Sequence, residues 1–107
     1  MITIKIANDY KHGPIWIYGE DGLPAHYFPI VHNDARLNEL NEKAKELYDS
    51  FYSFNTPSSA CVFSYEKEKA CRDDMLAIIE DILARLEEIS DGSFVVEDYE
   101  TEALRAL

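Results

Sequence analysis

The sequence predicts an α+β fold: a two-layer sandwich in which a small, mostly antiparallel sheet is covered on one face by two long antiparallel helices. Extended segments rich in β-branched and aromatic residues fill the first third of the chain. Two stretches with helical periodicity follow, and a short extended segment comes near the end. With 107 residues, the chain is long enough for one hydrophobic core, so residues 1–107 are expected to form a single domain.

The predicted strands are marked by alternation and by turn residues. Residues Ile2–Ile6 alternate apolar and polar side chains, which is the period of a half-buried strand. The segment Ile15–Tyr18 is β-branched and aromatic, and glycines follow it closely. A third extended segment is predicted at His26–Val31, where Pro29 cannot donate to a ladder and therefore indicates an edge strand or an irregular stretch. The last strand is predicted at Ser93–Val96.

The first predicted helix begins at the capping residues Asn33 and Asp34. Apolar residues then recur at steps of three and four, which places them on one stripe of a helix: Leu37, Leu40, Ala44, Leu47, Phe51 and Phe54. Pro57 ends the pattern, because proline lacks an amide hydrogen and disfavours helix in the residue before it.

The second predicted helix begins near Tyr65 and ends before Asp91 and Gly92, which form a usual helix stop. The preceding segment 60–63 fits either a short strand or the run-in to this helix, and the sequence leaves both open. The apolar face of the helix comprises Met75, Ile78, Ile79, Ile82, Leu86 and Ile89, widened by Leu76 and Leu83.

The charge of the chain limits its partners. Its 21 acidic and 10 basic side chains give a net charge of −11 at pH 7, which disfavours nucleic acid and anionic membranes as direct partners. No apolar run approaches the roughly 20 residues of a bilayer span, and Met1–Lys5 lacks the basic start and apolar block of a signal peptide. A cytoplasmic location is therefore expected, and in a reducing compartment Cys61 and Cys71 are expected to be packed thiols.

No pattern in the chain indicates a catalytic or metal site. His12, His26 and His32 are spaced by 14 and 6 residues, which matches no usual ligand spacing, and whether they converge in space stays open. The settings of serine and cysteine typical of nucleophilic enzymes are missing, as is a glycine-rich phosphate loop. Paired carboxylates acting as acid and base stay an alternative, but a small two-layer domain rarely offers the cleft they need. We therefore expect a protein without enzyme activity, cofactor or metal.

Adjacent acidic pairs recur at heptad spacing on the second predicted helix. We call this set the acidic ribbon; its members are Asp73, Asp74, Glu80, Asp81, Glu87 and Glu88. At roughly 1.5 Å per residue it extends over about 21 Å, a length suited to a macromolecule. A charged solvent face is normal for a helix, but the uniform sign is informative because it omits the opposite-charge pairs that stabilise helices. Arg85 is the only base from residue 73 to 102, so the ribbon is the predicted partner-binding site.

In its size, acidic charge and α+β pattern the chain resembles the immunity proteins that accompany bacterial toxins, many of which neutralise a basic nuclease by covering its active or substrate-binding site. The resemblance implies a basic protein partner, a toxin or nuclease, and affinity would also need apolar anchors. The candidate anchors are Trp16, Tyr18, Tyr52 and Tyr99. Two alternatives stay open: a nucleic-acid mimic that inhibits a DNA-binding protein or RNA-guided nuclease, and a self-associating regulatory subunit that forms a homodimer.

Overall fold

The computed structural model describes residues 1–25, 27–53 and 62–107, which form an α+β fold with a small mixed sheet. About half of the chain is helical. Among the described residues there is no helix with the length and hydropathy of a membrane span. The elements follow in the order β1 (Ile2–Ile6), β2 (Ile15–Tyr18), α1 (Pro29–His32), α2 (Ala35–Asp49), β3 (Tyr52–Ser53), β4 (Val62–Phe63), α3 (Tyr65–Ala70), α4 (Arg72–Ile89), β5 (Phe94–Asp98) and α5 (Thr101–Arg105).

The main sheet has the strand order β2-β1-β5 and confirms the two N-terminal strands at their predicted bounds. Strand β1 pairs antiparallel with β2 and parallel with β5. The prediction of a mostly antiparallel sheet was therefore wrong. Strand β2 and helices α1 to α4 lie between β1 and β5 in the chain, and a parallel neighbour requires a long connection of this kind rather than a tight hairpin. Strands β3 and β4 form a separate antiparallel pair, so Val62 and Phe63 of the undecided segment 60–63 are strand, whereas residues 60 and 61 lie outside the described residues.

The predicted third strand was wrong, because the chain forms the short helix α1 from Pro29 to His32. Proline occupies the first helical turn, where its fixed φ suits a helix and where its missing amide hydrogen leaves no bond unmade. Phe28 precedes it as an extended N-cap residue. His26, the predicted start of that strand, lies outside the described residues.

Helix α2 confirms the first amphipathic segment but ends earlier than the apolar stripe predicts. The carboxylate of Asp34 caps it by accepting from the amide of Leu37 at 2.9 Å. The last helical residue is Asp49, and Phe51 is buried in the turn that leads into β3. The carbonyl of Phe51 accepts from the amide of Ser64 at 2.7 Å, so pairing of this segment with β4 replaces a further helical turn. Phe54 lies outside the described residues.

The second amphipathic segment is divided at Cys71, where φ is −98° and ψ is 10°, into α3 and α4. A further helix, α5, was not predicted from the sequence. It begins where the carboxylate of Asp98 accepts from the amides of Glu100 and Thr101 at 2.9 and 3.1 Å. Leu104 buries its side chain in the core and so anchors this short helix.

One hydrophobic core joins the main sheet to the helices, and both the β1 side chains Ile4 and Ile6 and the inner face of α4 are buried in it. Cys71 packs against this core as a half-buried free thiol, and Cys61 lies outside the described residues. The buried members are Ile4, Ile6, Val31, Leu37, Leu40, Ala44, Phe51, Met75, Ile79, Ile82, Leu86, Phe94 and Leu104.

Candidate functional site

The acidic ribbon lies on the solvent side of α4. All of its members, Asp73, Asp74, Glu80, Asp81, Glu87 and Glu88, are exposed. The opposite side of the same helix is buried through Met75, Ile79, Ile82 and Leu86, as the helical period predicts. Between the acidic pairs lie Ala77 and Ala84, which are also exposed and leave the centre of the ribbon low. The carboxylates therefore face solvent and make no contribution to the core.

The fold brings arginines to the ribbon that the sequence does not place there. Arg36 of α2 approaches Asp81 at 3.8 Å, and Arg105 of α5 approaches Glu80 at 3.8 Å. Within α4, Arg85 pairs with Glu88 at 3.1 Å, and Arg72 lies 3.6 Å from Asp73. The expectation of a uniformly negative face was therefore too simple.

Two members of the ribbon, Asp74 and Glu87, have no ion pair within the described part of the chain. The other four members form ion pairs at the protein surface, and three of these ion pairs are longer than 3.5 Å. Exposed ion pairs of this kind contribute roughly 0–1 kcal/mol each. A cation from a partner can replace an arginine there at little cost.

A stronger ion pair fixes α4 against the start of α2. Arg85 donates to both carboxylate oxygens of Asp34, with distances of 2.7, 3.1 and 3.2 Å. The side chain of Asp34 is only 9% exposed, and that of Arg85 is 33% exposed. These charge-assisted hydrogen bonds from Arg85 hold the pKa of the Asp34 carboxyl below its usual range. Arg85 therefore binds mainly to Asp34 at the start of α2, and its contact with the ribbon is the ion pair with Glu88.

A separate candidate surface is the face of the main sheet that points away from the core. On β1 the odd-numbered side chains Thr3 and Lys5 lie opposite Ile4 and Ile6, and their partners on β2 are Tyr18 and Trp16. The residues of this surface surround a shallow pocket of about 250 Å³. Its lining residues are Lys5, Ala7, Asn8, Asp9, Trp16, Tyr18 and Tyr99.

Three of the four candidate anchors, Trp16, Tyr18 and Tyr99, meet at this pocket. The ring of Trp16 is fixed by a hydrogen bond from Nε1 to the carbonyl of Ala7 at 2.8 Å and by the ring of His12, stacked at 3.6 Å between centroids. Nζ of Lys5 lies 4.7 Å from the centre of the Tyr18 ring. These contacts hold the aromatic rings in place, and the Lys5 ammonium group lies over one of them.

The fourth candidate anchor, Tyr52, lies elsewhere. Its ring packs against Tyr10, Tyr48 and Phe63, with centroid distances of 4.7, 5.7 and 5.0 Å. This aromatic cluster joins the end of α2 to the β3-β4 pair. The position of Tyr52 is explained by packing, and it does not add to the pocket on the sheet.

Two of the three histidines, His12 and His32, have structural partners. His12 stacks on Trp16, and Nδ1 of His32 accepts from the amide of Phe28 at 2.7 Å beside α1. His26 lies outside the described residues. The described ranges contain no group of three or more histidine, cysteine or acidic side chains placed to hold a metal ion.

A partly buried carboxyl that the sequence did not single out is that of Glu100. It accepts from the amide of Asn8 at 2.7 Å. Burial raises the pKa of the Glu100 carboxyl, and nearby Glu68 and Asp98 add to the increase. Burial also raises the pKa of Glu68. The raised pKa values mean that these carboxyls take up protons at higher pH than fully exposed ones.

A groove of about 290 Å³ also lies where α4 meets β5. Its floor is apolar, and Glu87 of the acidic ribbon stands on its rim. The groove is lined by Leu83, Leu86, Glu87, Ser90, Phe94 and Val96. No local pattern in the sequence indicates this groove, because its two walls come from different elements.

Comparison with protein families, with curated proteins and with solved structures found no match to this chain.

Proposed function

We propose that this chain is a non-enzymatic, cytoplasmic binding protein that neutralises a basic protein partner, in the manner of an immunity protein that covers the active or substrate-binding surface of a toxin or nuclease. The observation that carries the proposal is that all six members of the acidic ribbon are exposed on a helix whose opposite side packs into the core. Six carboxylates held in one row by a packed helix present a preorganised negative surface. A basic groove that grips phosphates offers the complementary potential.

We further propose the two-layer arrangement for the fold, with α2 and α4 antiparallel over one face of the main sheet. Contacts at both ends of α2 support it. Near its start, Arg36 meets Asp81 and Asp34 meets Arg85, both in the second half of α4. Near its end, Leu47 lines a pocket with Ala77, from the first half of α4. Such an arrangement directs the acidic ribbon and the aromatic sheet face to opposite sides of the core.

That geometry separates the ribbon from the predicted anchors Trp16, Tyr18 and Tyr99. A partner seated on the ribbon would need apolar contacts closer at hand, since area and anchors rather than charge alone give affinity. The apolar groove beside Glu87 is the nearest such feature among the described residues. The ribbon and this groove together form the proposed binding surface.

Because immunity proteins accompany their toxins, the test uses the product of the neighbouring reading frame as partner, in an inactive form if it is a toxin. Reversing Glu80 and Glu87 to lysine changes the net charge by four units on the ribbon. We expect the association rate to fall at least tenfold, because charge reversal removes the steering of a basic partner. The rate for the unaltered chain should also fall as salt rises.

The matched control is Glu39→Lys with Glu42→Lys on α2. It makes the same change in net charge and likewise breaks only weak exposed pairs, Arg36–Glu39 at 3.6 Å and Lys45–Glu42 at 3.4 Å. The control should retain most of the association rate. Equal losses from both variants would show that only bulk charge matters, and an unchanged rate in the ribbon variant would overturn the proposal.

A further inference from the structure

The two edges of the main sheet differ. The outer edge of β2 is covered by the following segment, because the amide of Ala25 donates to the carbonyl of Ile17 at 2.9 Å and Tyr18 forms a bridge with Pro24. Strand β5 is the other edge, and no described residue pairs with its outer side. An open strand edge is a template for pairing with another chain.

The register identifies the backbone groups that this edge offers. The amide of Ile2 donates to the carbonyl of Ser93, and the amide of Tyr99 donates to the carbonyl of Ile6, so the odd-numbered residues of this segment bond to β1. In a parallel ladder the alternate residues then direct their amide and carbonyl groups outward. Phe94, Val96 and Asp98 therefore present unpaired backbone groups along the edge.

The side chains at this edge suit an extended ligand. Val95 and Val96 are 45% and 38% exposed on opposite faces of β5. Val96 and Phe94 border the groove that Leu83 and Leu86 close from the α4 side. A strand added beside β5 would direct every second side chain into this groove, and apolar side chains would fill it.

The negative charge around the β5 edge favours a basic ligand over a second copy of this chain. Glu87 on the groove rim and Glu97 and Asp98 on the strand are all exposed. A second copy of this chain would bring an edge of the same sign, and each copy carries a net charge of −11. A basic segment complements these carboxylates.

We propose that β5 is a strand-addition site for an extended, basic segment of the partner, with alternate apolar side chains in the groove between α4 and β5. This inference rests on the proposed function, because it takes the same basic partner and names how it docks. Backbone pairing supplies the register, the groove accepts the apolar side chains, and Glu97, on the face of β5 opposite the groove, faces the basic ones.

The probe is a peptide about as long as β5 that alternates valine with lysine, titrated into the full chain. Amide hydrogen exchange gives the decisive pattern. On binding, the amides of Val96 and Asp98 should gain protection, whereas those of Glu97 and Tyr99, already bonded to β1, should change little. Methylating alternate amide nitrogens of the peptide removes its donors but not its charge, and should weaken binding by about tenfold or more.

A variant of the chain checks the same point. Val96→Pro removes the outward amide hydrogen, which an edge strand tolerates, and also replaces a side chain that borders the groove, so it should lose binding of the peptide to at least a similar extent. Equal binding of methylated and unmethylated peptides, no binding of either, or protection of the same amides by self-association without peptide would each overturn the inference. If the peptide binds without this pattern and the Glu80→Lys, Glu87→Lys variant loses it, the strand-addition site fails while the acidic ribbon stands.

Discussion

Replacing Asp34 by alanine should be among the most destabilising changes at a polar position, because one carboxylate both caps α2 and binds Arg85. Loss of the cap costs about 1 kcal/mol. Loss of the charge-assisted hydrogen bonds costs about 1.5–3 kcal/mol. The lower part of that range applies, because Arg85 is one-third exposed and keeps Glu88 at 3.1 Å. The total is about 2.5–3 kcal/mol, which corresponds to a fall in melting temperature of roughly 10–12 °C.

The conservative variant Asp34→Asn separates these contributions. Its amide oxygen can still accept from the amide of Leu37, so only the ion pair is lost and the destabilisation should be smaller by about 1 kcal/mol. Urea unfolding followed by circular dichroism measures both variants. A loss below about 0.5 kcal/mol for Asp34→Ala would refute the reasoning, because that is the effect of an ordinary surface substitution.

The ion pair also sets a pH dependence. The folded-state pKa of Asp34 is lowered, chiefly by its hydrogen bonds from Arg85. A lowered carboxyl pKa stabilises the folded state fully above the unfolded value, near 3.8, and this contribution is lost as the pH falls through the folded value. The difference in stability between the unaltered chain and Asp34→Asn should therefore shrink below about pH 3.8. A difference that stays constant there would contradict the assignment.

Three further predictions follow from single sites. Gly13→Ala should be more destabilising than Gly92→Ala in urea unfolding. Both glycines have φ near +90°, but only at position 13 would a new Cβ lie 2.6 Å from the Asn41 side chain. Equal losses of stability would show that the Asn41 side chain moves away freely. Glu100→Gln should raise stability at neutral pH, since a carboxyl whose folded-state pKa is raised by burial destabilises the fold once ionised. This gain should vanish as the pH falls toward 4.5, and a variant less stable at neutral pH would contradict the prediction. The melting temperature should be the same with and without reductant, because Cys71 is a free thiol, and a fall of several degrees on reduction would indicate a disulfide.

The sequence predicted those elements whose period is set by burial alone. Strands β1 and β2 and the inner faces of α2 and α4 follow from the spacing of residues such as Ile4, Leu40 and Ile79. The prediction failed where one residue is compatible with two local structures. Pro29 excludes a central strand but equally suits a first helical turn, and the second use prevails here.

The rest depended on contacts between distant residues. The turn at Phe51 is fixed by pairing with Ser64, and α5 is held by Leu104 in the core, neither of which a local pattern reveals. The same holds for the candidate site. The members of the acidic ribbon and their exposure were predictable from the helical period. The positions of Arg36 and Arg105 beside the ribbon were not, because they depend on how α2 and α5 pack against α4. The groove at β5 likewise exists only once α4 and the strand meet.

The central claim is that this chain neutralises a basic protein by binding it, and a titration against the product of the neighbouring reading frame tests it most directly. The activity of that product, measured as nuclease cleavage if it is a nuclease, should fall in proportion to added chain and reach zero near one equivalent. The two proteins should then co-elute as one complex, and the Glu80→Lys, Glu87→Lys variant should need a large excess. Full activity at a large excess of the unaltered chain, with the two proteins eluting separately, would contradict the account.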